Sequence, residues 1–153
     1  MNHAEREAHH MATMHRLRSM KIEDRKTKGI DHERTTVRVA ALLALEVRSY
    51  LATEKGCEAL ERLLEMTESR DSGQIQSVAN FLGAMWGASL LDPIILRGLD
   101  SEVGDDCIAV LDAVRWGRLS VSAMVEQANV RVPRTLRAWK LLGPEMGTGT
   151  NAP

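Results

Sequence analysis

The sequence predicts an all-α fold, a small bundle of about five to seven helices that pairs as a homodimer. Apolar residues recur three and four positions apart along most of the chain, which is the spacing of one face of an α-helix. Aromatic residues make up only 3% of the chain, while Ala, Leu, Met and Glu are common, and this balance favours helix over strand. No pair of alternating segments is joined by a hairpin turn signal.

Composition divides the chain into three parts. Residues 1–30 form a basic N-terminal segment, in which His3 to Met20 has a helical pattern and the stretch after it is expected to be a flexible joint. Residues 31–142 form the helical domain. Residues 143–153 are mostly Gly, Thr, Pro and Asn, and we expect them to be disordered.

Capping residues and glycine predict where the helices of this domain begin and end. Asp31 predicts the start of a long helix that runs to about Glu54, and Gly56 predicts a break after it. A second helix follows with a clear apolar stripe, and Asp71-Ser72-Gly73 predicts the turn before a third. Further helix starts are predicted at Asp92-Pro93, at Asp100 or Ser101, at Ser120 and at Pro133.

The first long helix is unusually apolar. From Val37 to Leu51, eleven of fifteen residues are apolar, and Leu42 and Leu45 fall on the same side as its polar residues. A helix that is apolar all round is buried on every side. It is either a central core helix or a helix shared with a second subunit, and the second reading makes Leu42 and Leu45 a predicted dimer interface.

The second helix carries a row of carboxylates. Residues 39–114 hold thirteen Asp and Glu against five Lys and Arg. Five of these acids share one face at spacings of three and four. Like charges at such spacings destabilise a helix slightly, so the row is a candidate surface for a basic partner, the alternative being an ordinary solvated face. The predicted partner-binding residues are Glu54, Glu58, Glu61, Glu65 and Glu68.

The C-terminal region is basic, with six Lys and Arg against two Asp and Glu from residue 115 onward. Such a cluster can contact phosphates, but the chain has no helix-turn-helix signature and its pI is about 6.5. Nucleic-acid binding is therefore an alternative that the sequence does not favour. The residues that would make the contact are Arg131, Arg134, Arg137 and Lys140.

The sequence favours no catalytic, cofactor or metal site. No nucleophile motif, phosphate-binding glycine loop or dinucleotide fingerprint is present, so we expect a non-enzymatic protein without a cofactor. His9, His10 and His15 have a poor spacing for metal ligands on one helix face. Cys57 and Cys107 are expected to be free, buried thiols, which suits the cytoplasm. The longest apolar run is far too short to span a membrane.

Several short segments in the second half of the chain carry a resemblance. They are residues 59–64 (ALERLL), 71–74 (DSGQ) and 78–82 (VANFL) with Ala84 and Trp86, followed by Asp106, Val110 and Leu111. These segments resemble an uncharacterised bacterial family found in integrative conjugative elements and plasmids. The resemblance implies a helical fold and a mobile-element setting, and it supplies no catalytic residue.

The length and the all-helical pattern also make the chain similar to anti-CRISPR proteins, in particular homodimeric inhibitors of type I-F systems. This resemblance implies binding to protein subunits of a CRISPR surveillance complex. The inhibitor would then block either DNA capture or recruitment of the helicase-nuclease. Because such complexes hold nucleic acid in positively charged channels, the acidic row is where we expect the contact.

Overall fold

One long helix organises the fold. The computed structural model describes residues 1–69 and 73–143. Its elements are α1 (His3–Arg18), α2 (His32–Ser69), α3 (Ile75–Met85), a 3₁₀ helix (Pro93–Gly98), α4 (Ser101–Trp116), α5 (Val121–Met124) and α6 (Ala128–Ala138). All five of the other α-helices contact α2, and α4 does so most extensively. The described residues form seven helices and no strand, which confirms the all-α prediction.

Helix α2 begins where the sequence predicts, but it does not end there. Asp31 caps it, since its carboxylate accepts a hydrogen bond from the backbone N–H of Arg34 at 2.9 Å. The break predicted at Gly56 is wrong, because α2 continues to Ser69. A Cβ on Gly56 would lie 2.2 Å from the Cβ of Ala113. This glycine therefore lets α4 approach α2 closely, and it does not end the helix.

The hydrophobic core surrounds the C-terminal half of α2. Leu60, Leu63 and Leu64 are fully buried there, against Phe81 of α3 and Val110 of α4. These positions lie three and four residues apart along α2, so the apolar stripe predicted for the second helix is confirmed as the core face. The stripe belongs to the long helix and not to a separate one.

Helix α1 packs against the N-terminal half of α2, and residues 19–31 connect the two. Within this connection the backbone N–H of Asp24 donates to the carbonyl of Gly29 at 2.8 Å, and the N–H of Ile22 donates to the Thr35 hydroxyl at 2.9 Å. The stretch predicted to be a flexible joint is thus a hydrogen-bonded turn. Its mobility remains a prediction.

The remaining helix starts agree with the sequence in part. Asp92 caps the 3₁₀ helix by accepting a hydrogen bond from the N–H of Ile94. The last helix begins earlier than predicted, since α6 starts at Ala128 and contains Pro133 in its interior. The turn predicted at Asp71-Ser72 lies outside the described residues, as does the tail predicted to be disordered, apart from its first residue, Gly143.

Candidate interaction surfaces

At its N-terminal end, the acidic row predicted to bind a partner contacts α1, the helix of the basic N-terminal segment. The Glu54 carboxylate accepts hydrogen bonds from Arg6 of α1, with Nη2 2.9 Å from Oε2, and it lies 2.7 Å from Nδ1 of His3. The Arg6 hydrogen bond lowers the pKa of Glu54 and stabilises its charged form. This end of the row therefore holds α1 on α2.

The other end of the row meets α6. Arg131 donates to Glu61 and also pairs with both carboxylate oxygens of Glu68, at 3.1 and 3.0 Å. Arg134 adds a longer contact of 3.6 Å to Glu68. The hydrogen bonds that Arg131 donates hold the pKa of Glu68 below its ordinary value, and its pairing with the two carboxylates raises the pKa of Arg131. Two-pronged pairs of this kind are the stronger class of surface ion pair.

The surface predicted for a basic partner and the surface predicted for nucleic acid are thus partly paired with each other. Glu58 and Glu65 of the acidic row remain exposed. In the basic cluster Arg137 is half-buried, and Lys140 is exposed. Sequence spacing could not show this pairing, because Glu61 and Arg131 are 70 residues apart in the chain.

A buried carboxylate anchors two further elements to the N-terminal half of α2. Glu46 is only 4% exposed; its Oε1 lies 2.9 Å from Nδ1 of His10 in α1, and its Oε2 accepts a hydrogen bond from Arg118, which follows α4. The His10 ring stacks on Tyr50, with the centroids 4.2 Å apart. The sequence places Glu46 on the polar side of its helix but gives no signal of these partners.

The groups that could hold a metal or act as nucleophiles have other surroundings. His10, from the N-terminal histidine cluster, is held by Glu46. Within residues 1–69 and 73–143 no three His, Cys, Asp or Glu side chains are grouped so as to hold a metal ion. Cys57 and Cys107 are free and buried, as the sequence predicts, and burial raises the pKa of Cys107 to about 12. At neutral pH this thiol is therefore protonated and a poor nucleophile.

Five apolar residues of α2 face outward in a regular line, which we call the α2 seam: Val37, Ala40, Ala44, Val47 and Leu51. Their spacing alternates between three and four residues, as at the a and d positions of a coiled coil, so they form one stripe. All five are exposed, with Val37 at 66%, Leu51 at 50% and Val47 at 38%. An apolar helical stripe of this kind usually packs against another helix, but the α2 seam is exposed in the single chain.

A groove with basic residues runs beside the seam, between α2 and α4, and we call it the basic groove. Its cations are Arg48 and Lys55 of α2 and Arg115 of α4, and Asp112 contributes one carboxylate. The guanidinium groups of Arg48 and Arg115 lie 4.5 and 4.6 Å from the ring centroid of Trp116. Cation–π attraction at these distances orders both arginines beside the seam.

The residues predicted to form the dimer interface lie on another side of α2. Leu45 is 53% exposed and Leu42 is half-buried, and both line a shallow groove with Leu17 of α1 and Trp116. The apolar middle of α2 is thus exposed in the single chain, where the sequence predicts burial on every side. Whether a second copy covers Leu42 and Leu45 remains a prediction.

The comparisons with known proteins give one match. A sequence model described as a family of unknown function (DUF7673) matches residues 57–140, which is more than half of the chain. The matched region runs from the buried half of α2 to the end of α6 and leaves out the seam. No curated protein matches the chain, and no solved structure does. None of the described helices is both long enough and apolar enough to cross a membrane.

Proposed function

We propose, from the premise that this chain belongs to the family of unknown function DUF7673, that it is a non-enzymatic protein that acts by binding other proteins. The observation that carries this proposal is the α2 seam. Its five apolar residues extend from Val37 to Leu51 on the surface. Large contiguous apolar patches on a protein surface mark sites of interaction with other molecules.

The same region supports the proposal that the protein is a homodimer. Leu42 and Leu45 add apolar area on a second side of α2, next to Leu17. Light scattering of the purified chain should then give about twice the 17.0 kDa of one copy. Leu45→Glu should return a monomer that keeps its helical circular dichroism, because the side chain is already half-exposed. A 17.0 kDa particle from the unmodified chain would refute the dimer.

The candidate target is the one that the sequence resemblance implies, a type I CRISPR surveillance complex that the protein inhibits as a product of a mobile element. The target rests on that resemblance, and the fold adds one constraint. Since Glu54, Glu61 and Glu68 are paired within the chain, the row offers mainly Glu58 and Glu65 to basic subunits.

A pull-down with purified surveillance complex tests this target. We expect the chain to co-migrate with the complex, and the double variant Glu58→Lys with Glu65→Lys to bind at least about tenfold more weakly if the acidic row makes the contact. Leu51→Glu probes the seam in the same assay. If no subunit and no assembled complex retains the chain, this target is wrong.

Nucleic-acid binding, as an accessory protein of a mobile element, is the alternative. The structure weakens the argument from the C-terminal basic cluster, because the Arg131 and Arg134 side chains already neutralise Glu61 and Glu68. A gel shift at low and high salt distinguishes the two functions, since phosphate contacts strengthen as salt falls. A shift at low salt that Lys140→Glu abolishes would support the alternative, and no shift at low salt would exclude it.

A further inference from the structure

We propose that the α2 seam and the basic groove together bind an acidic amphipathic helix of a partner protein. The inference rests on the proposed protein-binding function and adds the chemistry of the partner. It follows from three observations on α2 and α4: the period of the exposed apolar residues, the sign of the charges beside them, and the aromatic residue that orders those charges.

The period of the seam selects a helix as the occupant. Residues at alternating spacings of three and four form a nearly straight line on a helix, and a second helix packs along such a line with its own apolar stripe. From Val37 to Leu51 the seam extends for about 21 Å, which corresponds to about four helical turns. The next positions on the same line are Glu54 and Glu58, so the apolar contact ends at Leu51.

The charge beside the seam selects an acidic partner. In heptad terms, Val37, Ala44 and Leu51 occupy a positions, and Ala40 and Val47 occupy d positions. The e positions of the same register, which follow d, are Arg34, Ala41, Arg48 and Lys55, so this flank holds three cations and no acid. Arg115 adds a fourth cation from α4 across the basic groove. Flanking charges of this kind determine which helix pairs with which, and here they require carboxylates on the incoming helix.

The same charges disfavour a second copy of this chain on the seam. The opposite flank, formed by the positions that precede the a residues, holds Thr36, Leu43 and Tyr50. A parallel copy would therefore meet the cations without a carboxylate, and an antiparallel copy would bring the two basic flanks together. A second copy would bring only Asp112 of the basic groove as a complement to these cations, whereas an acidic helix can place several carboxylates beside them.

Trp116 orders two of the arginines in the basic groove. Its ring lies under both Arg48 and Arg115, so the two guanidinium groups stand beside the seam before any partner arrives. Ordered arginines lose less conformational freedom on binding than free ones, and their planar groups can pair with carboxylates in a two-pronged manner.

Two synthetic helical peptides provide the test on the full-length chain. Both are about 15 residues long, to match the seam, with leucine at the a and d positions. One carries Glu and the other Lys on the flanks. Fluorescence anisotropy should show that the Glu peptide binds at least about tenfold more tightly than the Lys peptide, and that added salt weakens its binding.

Two variants test which residues of the chain contact the peptides, and a third is a control. Arg48→Glu combined with Arg115→Glu should weaken the Glu peptide by at least about tenfold and strengthen the Lys peptide. Leu51→Glu should weaken both peptides. Arg97→Glu is the matched control, because it reverses an exposed arginine on the 3₁₀ helix, which contacts the far end of α4, and it should change neither affinity. Circular dichroism checks that each variant is folded.

Equal affinity for the two peptides, or no binding of the Glu peptide, would overturn this inference. So would a dimer that Leu51→Glu converts to a monomer in light scattering, since a second copy would then occupy the seam. These failures are distinct from failure of the proposed function. A chain that binds a protein target but ignores the Glu peptide loses only this inference, whereas a chain that binds no protein and no peptide loses both.

Discussion

The two halves of α2 differ although they belong to one continuous helix. In residues 57–69, six of thirteen residues are buried, and four of the six are Ala or Leu. In residues 32–56, three of twenty-five are buried, namely Glu46, Thr53 and Gly56. Residues 32–56 are as apolar as residues 57–69, yet their aliphatic side chains remain partly or fully exposed. The difference lies in what each half packs against, not in hydrophobicity.

The difference between the two halves indicates that they have different roles. The C-terminal half of α2 is packed by α3, α4 and α6 and starts with Cys57, the residue at which the family match begins. The N-terminal half forms hydrogen bonds and ion pairs with α1 and Arg118, and the apolar residues of its seam are exposed. We therefore assign stability to one half and recognition to the other.

The largest expected effect compares the same substitution in both halves. Leu60→Ala removes a fully buried side chain from the core and should lower the free energy of unfolding by about 2–5 kcal/mol. Leu51→Ala, in the exposed seam of the same helix, should change it by less than about 0.5 kcal/mol. Urea denaturation measures both. Similar losses for the two variants would show that the seam is buried in solution.

The second prediction concerns the junction between the halves. Gly56→Ala should destabilise the protein by about 1–3 kcal/mol, because its methyl group would overlap Ala113 and push α4 away. Gly104→Ala in α4 is the matched control. Its added Cβ would meet nothing closer than 3.9 Å, so the gain in helix propensity should stabilise the protein by up to about 1 kcal/mol. Thermal melts should therefore shift in opposite directions.

The third prediction tests the polar anchor of the N-terminal half. His10→Ala removes one partner of the buried Glu46 carboxylate and the ring that stacks on Tyr50. The α1 docking should lose about 1–2 kcal/mol, seen as faster amide exchange in α1 with little change in α4. His15→Ala, an exposed histidine of the same helix, should leave the exchange as it is. Unchanged exchange in His10→Ala would mean that apolar contacts alone dock α1.

The smallest effect is a pH dependence of the ion pairs that line α2. The folded pKa of Glu68 is lower than its ordinary value of about 4.5, so its charge stabilises the fold above that pH. This contribution is lost as the pH falls through the folded pKa. The decline in stability below about pH 5 should therefore be slightly shallower in Glu68→Gln than in the unmodified chain, by less than about 1 kcal/mol. The exposed Glu65→Gln should keep the original slope.

The sequence predicted the local parts of this fold well. The Asp31 cap and the core stripe through Leu60 and Leu63 follow from signals within a few residues of each other. Gly56 was misread because a glycine that ends a helix and a glycine that admits a neighbouring helix look alike in sequence. Only the position of Ala113, 57 residues later, tells them apart.

The candidate surfaces depended more on long-range pairing, and there sequence reasoning was weaker. The spacing of Glu61 and Glu68 placed them correctly on one helix face, but their partner Arg131 comes from α6. The burial of Glu46 likewise depends on His10 and Arg118, from elements before and after α2. The seam could have been found from its heptad spacing, yet its exposure could not, because exposure depends on where α1 and α4 pack.

Thiol labelling at the seam tests the central claim most directly. In Leu51→Cys the new thiol lies on an exposed position, whereas Cys57 and Cys107 are buried, so the unmodified chain is the blank. We predict that the new cysteine reacts as fast as a free thiol at every protein concentration, and that the acidic helical peptide protects it. Slow labelling that becomes faster only on dilution would contradict the account, since a second copy would then cover the seam.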